Sequence, residues 1–121
     1  MKQILIILCL SFFMVSCEDY DIATVVIENN SSYDLSNCKV YAYFGDTILQ
    51  DSISMGSVLK SEKLNRIWKS KLPSLDGAFY FKCNQNNRTI DKTFGYFSNG
   101  GLLDKQYTIT ITDDEVTVSS K

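Results

Sequence analysis

The side chain that most often serves proteins as a general base or metal ligand is missing: the 121 residues contain no histidine. A Ser-His or Cys-His nucleophile therefore cannot be assembled. Cys38 and Cys83, without histidine, cannot complete the tetrahedral ligand set of a structural zinc site. No Gly-rich phosphate loop and no EF-hand loop occurs. Carboxylates are plentiful, with 14 Asp and Glu, but nothing in their spacing pairs an acid with a base. The chain reads as non-enzymatic and free of cofactors.

What remains is chemistry of binding. Tyr41, Tyr43 and Tyr80 fall opposite the apolar side of two strongly alternating segments. If those segments are neighbours, the rings form an exposed ladder. Tyr96 adds a ring within Phe94-Gly-Tyr-Phe-Ser-Asn-Gly-Gly101, beside a turn. Aromatic rings rimmed by polar groups suit interfaces, and sugar rings stack on them. The competing reading is cross-strand pairing that only stabilises a sheet. A second candidate is the basic run Lys60, Lys63, Arg66, Lys69 and Lys71, diluted by Glu62. It could meet anionic polysaccharide or lipid phosphate, but lysines so placed also guard an edge strand against aggregation.

The elements that must position these residues are short and β-patterned. Strands are expected over 23–28, 38–44, 47–53, 62–69, 78–83, 88–97, 106–112 and 115–119. In the second, period two places Cys38, Val40, Ala42 and Phe44 on one face. Gly45-Asp46 is a tight hairpin turn, as is Asp113-Asp114; Asn84 to Asn87 turns between two strands, and Gly95 is a candidate bulge. The stretch 62–69 also carries helical spacing at Leu64, Ile67 and Trp68, but its neighbours are all β. Seven or eight short strands with no convincing helix predict an all-β fold, an antiparallel immunoglobulin-like β-sandwich following an N-terminal signal peptide.

Lys2 followed by the apolar run Ile4 to Val15 is too short to cross a bilayer and reads as a signal peptide. Met14-Val15-Ser16-Cys17 resembles a lipobox, with Met14 where that family usually has Leu. The resemblance implies cleavage before Cys17, a diacylglycerol on its thiol and an acyl chain such as palmitate on its amino group. Such chains anchor a protein to a membrane without spanning it. Glu18-Asp19-Tyr20-Asp21 resembles the surface-export signal of Bacteroidota lipoproteins, and is equally a solvated acidic spacer. The division is a signal peptide over 1–16, an acidic tether over 17–22 and a β-sandwich domain over 23–121. The domain is of a size to hold one core. Loss of Lys2 leaves the mature chain one unit more negative than the whole chain's −2, without the basic footprint of a nucleic-acid binder.

Cys38 and Cys83 both fall on apolar faces. In an oxidising compartment a disulfide between them would close a loop of roughly 45 residues; the alternative is two buried thiols. Asp46-Thr47-Ile48 and Asp51-Ser52-Ile53 resemble the O-glycosylation acceptor of exported Bacteroidota proteins, at Thr47 and Ser52. Asn30-Ser-Ser and Asn87-Arg-Thr fit the N-glycosylation pattern, machinery a bacterial lipoprotein seldom meets. The whole chain resembles the small single-domain outer-membrane lipoproteins of Bacteroidota. That implies a lipid-anchored protein of the outer membrane, surface-exposed if the acidic cluster is an export signal, and the role expected of it is a non-catalytic protein-interaction or accessory module of an envelope complex. The alternative is a surface glycan-binding module using the tyrosine face.

Overall fold

Alternation of apolar and polar residues, punctuated by Asn, Gly and Ser, builds a two-layer β-structure. The computed structural model describes residues 21–44, 47–70, 72, 76–98 and 101–121. Cys17 and the acidic cluster through Tyr20 lie outside the described residues, as do Gly45-Asp46 and Lys71, and nothing is described of the Thr47 side chain. The strands are β1 (Asp21–Asn29), β2 (Leu35–Phe44), β3 (Thr47–Val58), β4 (Lys63–Ser70), β5 (Gly77–Gln85), β6 (Arg88–Ser98), β7 (Gly101–Leu102), β8 (Gln106–Ile111) and β9 (Val116–Ser120). They form a four-stranded sheet, β4-β1-β8-β9, and a five-stranded sheet, β3-β2-β5-β6-β7.

The all-β sandwich is therefore present, with two departures from expectation. A ninth strand, β7, is only two residues long and pairs with the end of β6. The pairing is also not wholly antiparallel, because β1 runs parallel to β8. A parallel pair needs a long crossover, and here β2 to β7 supply it, all but β4 lying in the other sheet. The ambiguous stretch at 63–70 is a strand, antiparallel to β1. Leu64 and Trp68 turn inward there, with Trp68 buried. Phe44 shares the core-facing parity of β2 but stands at the strand's end and is 44% exposed.

Two connections show why the local sequence suffices. β5 and β6 pair through Gln85 and Arg88, so the turn narrows to Asn86-Asn87, both at positive φ (46° and 60°). That is the backbone of a two-residue hairpin whose twist matches its strands, and Asn tolerates it better than other side chains. Gly95 is the bulge. Phe79 faces Phe94 but Gly77 faces Phe97, leaving one extra residue on β6. Its φ is +62°, and a Cβ there would stand 2.9 Å from both Phe79 Cδ2 and Tyr107 Cε1. Only glycine satisfies both conditions.

The core lies between the sheets and is centred on Phe79. Its ring centroid is 5.4 Å from Trp68, 5.5 Å from Tyr107, 5.7 Å from Phe94 and 5.6 Å from Phe97. Trp68 and Tyr107 belong to the opposite sheet, so one side chain joins both layers.

Candidate functional site

Inward-facing residues of β2, β5 and β6 are committed to the core, which leaves the outer face of the five-stranded sheet for binding. Register places the residues row by row. Tyr41 of β2 lies directly opposite Tyr80 of β5, with Ser52 of β3 on one side and Thr93 of β6 on the other. In the next row Tyr43 faces Ala78, beyond which lies the Gly95 bulge. The bulge shifts parity by one residue, so Phe94 and Phe97 both point inward while Tyr96 points out, 44% exposed. All four expected tyrosines thus share one face. Sequence alternation alone could not place Tyr96 there, because the bulge decides its side.

The tyrosines are tied down. The Tyr41 and Tyr80 rings are 6.4 Å apart and tilted, and Tyr43 meets Tyr80 edge-on at the same distance. Tyr80 Oη donates to Asp91 Oδ2 at 2.6 Å, and Tyr43 Oη donates to Thr93 Oγ1 at 3.3 Å. Tyr41, Tyr43 and Tyr80 are consequently half-buried. Donation to Asp91, aided by burial and the carboxylate's charge, pushes the Tyr80 phenol up to about 12. Burial, then Asp76, raises Tyr96 as well. A raised phenol stabilises the fold fully below the unfolded value near 10, and that contribution fades as pH climbs through about 12. Ultraviolet titration of phenolate should therefore show Tyr80 ionising late, and Asp91→Ala should return it toward 10. A profile identical in the two proteins would contradict the pairing.

One row further on, Lys39 and Lys82 sit directly opposite each other, flanked by Ser54 and Asp91. The Lys39 ammonium lies 5.1 Å from the centre of the Tyr41 ring. With Asn37, Tyr41, Asn84 and Thr89 the two lysines line a groove of about 330 Å³. A second groove of about 380 Å³ shares Asn84 and Thr89 with it and continues past Asn86 and Asn87. Sequence reading missed these lysines, because each stands alone among apolar and aromatic neighbours. Only pairing of β2 with β5 brings them together.

The basic run does not form a patch. β4 is the edge of its sheet. Alternation sends Arg66 to the side of Leu64 and Trp68, while Lys63 and Lys69 take the other; Lys60 precedes the strand. Lys63 is engaged with Glu28 at 2.8 Å, which holds the Glu28 carboxyl below its usual range. The pattern fits an edge strand guarded by charge. Ser52, half-buried on edge strand β3, stands beside Tyr41.

Cys38 and Cys83 are buried neighbours on β2 and β5 and are free thiols. Asn37, at φ 52°, produces the register shift that brings Cys38 opposite Cys83. The adjacent Cys83 thiol lowers Cys38, while Cys38 and burial push Cys83 up. With both thiols at most 1% exposed, iodoacetamide should modify neither in the folded protein. Unfolding without reductant should expose Cys38 and Cys83 and give adducts on both by peptide mass mapping. Neither modified until after prior reduction would show a Cys38–Cys83 bridge instead.

The amide side chains carry structure at one end of the sandwich. Buried Gln85 donates to Thr112 O at 3.1 Å and accepts two bonds from Arg88, which also reaches Asp113 O. The Asp113 carboxylate receives the Ser32 backbone N–H and hydroxyl at 2.6 and 2.7 Å, which lowers its pKa. Among the described residues no group of three metal-ligating side chains occurs, and no helix is long and apolar enough to cross a membrane.

No family model and no curated protein sequence matches the chain. Solved structures do. A protein from Eubacterium rectale, determined by NMR, superimposes with a TM-score of 0.52 at 13% identity, over 83% of this chain and 88% of its own. A Bacteroides ovatus ATCC 8483 protein described as a "putative cell adhesion protein" gives a TM-score of 0.45 at 13% identity, over 84% of this chain and 43% of its own. At such identity the first likeness speaks to the sandwich fold alone.

Proposed function

We propose that the chain is a non-catalytic recognition module, held at the bacterial outer membrane by lipid on Cys17, whose working surface is the outer face of the five-stranded sheet and whose ligand is a glycan. The observation that carries this reading is the convergence of Tyr41, Tyr43, Tyr80 and Tyr96 on that one face. A polar groove of Asn, Thr and Lys side chains runs beside the rings. Hydrogen-bonded, half-buried tyrosines offer ring surface at little entropic cost. Amide and ammonium groups match sugar hydroxyls. An envelope protein as the ligand is the second reading; protein interfaces are depleted of lysine at their centres, which makes this face the poorer fit.

The tether rests on the N-terminal sequence. Metabolic labelling with an alkyne fatty acid should mark the protein and fail on Cys17→Ser. For the face, the intact lipoprotein in detergent should bind members of a polysaccharide panel. Tyr96→Ala should weaken that binding with little change in melting temperature, and Tyr43→Ala should weaken it while also lowering the melting temperature, since Tyr43 packs on Tyr80. If no polysaccharide binds and one envelope protein is recovered in stoichiometric amount, the glycan reading falls.

A further inference from the structure

The lysine pair in the groove specifies the ligand further, on the reading of this face as a glycan site. Like charges directly opposite on neighbouring strands destabilise a sheet. Lys39 and Lys82 are such a pair, at the centre of the sheet and not at an edge. Among the described residues neither stands in an ion pair within 4.0 Å; Lys63 and Glu28 do. The nearest carboxylate in register, Asp91, accepts the Tyr80 hydroxyl. Two cations therefore face each other beside an open groove, and the carboxylate next to them is already engaged by Tyr80. Where a sequence accepts a local cost of this kind, function is the usual reason.

We infer that this groove takes a carboxylate-bearing sugar chain. The carboxylate of an acidic residue would lie between the Lys39 and Lys82 ammonium groups, its ring beside the edge of Tyr41, and its hydroxyls toward Asn84, Thr89 and Asn37. Lys39, held over the Tyr41 ring by cation–π attraction, keeps its place when the groove is empty. The second groove, past Asn86 and Asn87, gives the next residue of the chain somewhere to lie.

The test uses the intact lipoprotein in detergent with polygalacturonate, alginate and hyaluronan, each paired with its fully methyl-esterified form. Esterification keeps the sugar backbone and removes the charge. At least one free acid should bind, its ester should not, and affinity should fall with rising salt. Lys39→Gln and Lys82→Gln should each weaken binding on the order of tenfold, the effect of one charge-assisted hydrogen bond. Their melting temperatures should be unchanged or slightly higher, since a repulsion is removed. Equal binding of acid and ester, or lysine variants that bind normally, would overturn the inference while leaving the glycan face standing. Failure of all three acids, with a neutral polysaccharide bound through Tyr96, would do the same. Failure of every polysaccharide removes both.

Discussion

Phe79→Ala is expected to lower the unfolding free energy by about 3–5 kcal/mol, the range for deleting a fully buried aromatic ring. The size follows from its position. Phe79 touches Trp68 and Tyr107 across the sandwich and Phe94 and Phe97 within its own sheet. Its removal opens a void where the two layers meet, and four large rings fixed on three strands cannot all close in. A small domain holds only about 5–15 kcal/mol in total, so the variant should sit close to the limit of folding. Phe79→Leu keeps most of the volume and should lose far less. Urea titration gives the comparison, with the slope unchanged if the transition stays two-state. A shift below about 1 kcal/mol for the alanine variant would mean that the aromatic cluster is not the centre of the core.

Asn29→Leu is expected to cost about 3 kcal/mol, although the two side chains are nearly equal in size. Asn29 is fully buried, and its amide meets every demand burial makes. Its Nδ2 donates to Tyr33 O at 2.8 Å and Val58 O at 3.0 Å. Its Oδ1 accepts from the Ser31 backbone N–H at 3.1 Å and from the Ser31 hydroxyl at 2.7 Å. One side chain thus joins the end of β1, the loop after it and the end of β3. Leucine would leave the Val58 carbonyl buried and unpaired while freeing the loop. Hydrogen exchange should show early opening of 29–35 and of the β3 end, with the rest of the sandwich protected. Loss spread evenly over the domain would instead point to a packing effect. Ser31→Ala removes only the hydroxyl of the same network and should cost about 1 kcal/mol.

Strand periodicity made most of the architecture legible from sequence. Alternation in 38–44, 78–83 and 106–112 picked out the inward residues of β2, β5 and β8 apart from the exposed Phe44, and Asn and Asp marked the turns at 86–87 and 113–114. Even 63–70 followed its β neighbours. Some features escaped because they depend on partners distant in the chain. The Val25-Val-Ile-Glu-Asn-Asn-Ser-Ser stretch reads as a strand ended by turn residues. Nothing local reveals that Asn29 is the buried anchor of that end, since its partner Val58 is 29 residues away. The parallel pairing of β1 with β8 is likewise a matter of which strand fills the vacant edge of β1, and periodicity does not encode strand order.

The candidate site divides along the same line. Sequence by itself determined that histidine chemistry is absent, that the chain is built from β-strands, and that Tyr41, Tyr43 and Tyr80 lie opposite the core side of theirs. These follow from residue type and from the two-residue period of a strand, both local. Tertiary structure decided the rest. It set β2 beside β5, turned separate tyrosines into one face, used the Gly95 bulge to bring Tyr96 onto it, and brought Lys39 opposite Lys82. It also dispersed the basic run of β4, because alternation sends neighbouring charges to opposite sides. A binding surface on a sheet is assembled across strands, perpendicular to the chain. Its chemistry is fixed by register and strand order, which only the folded molecule contains.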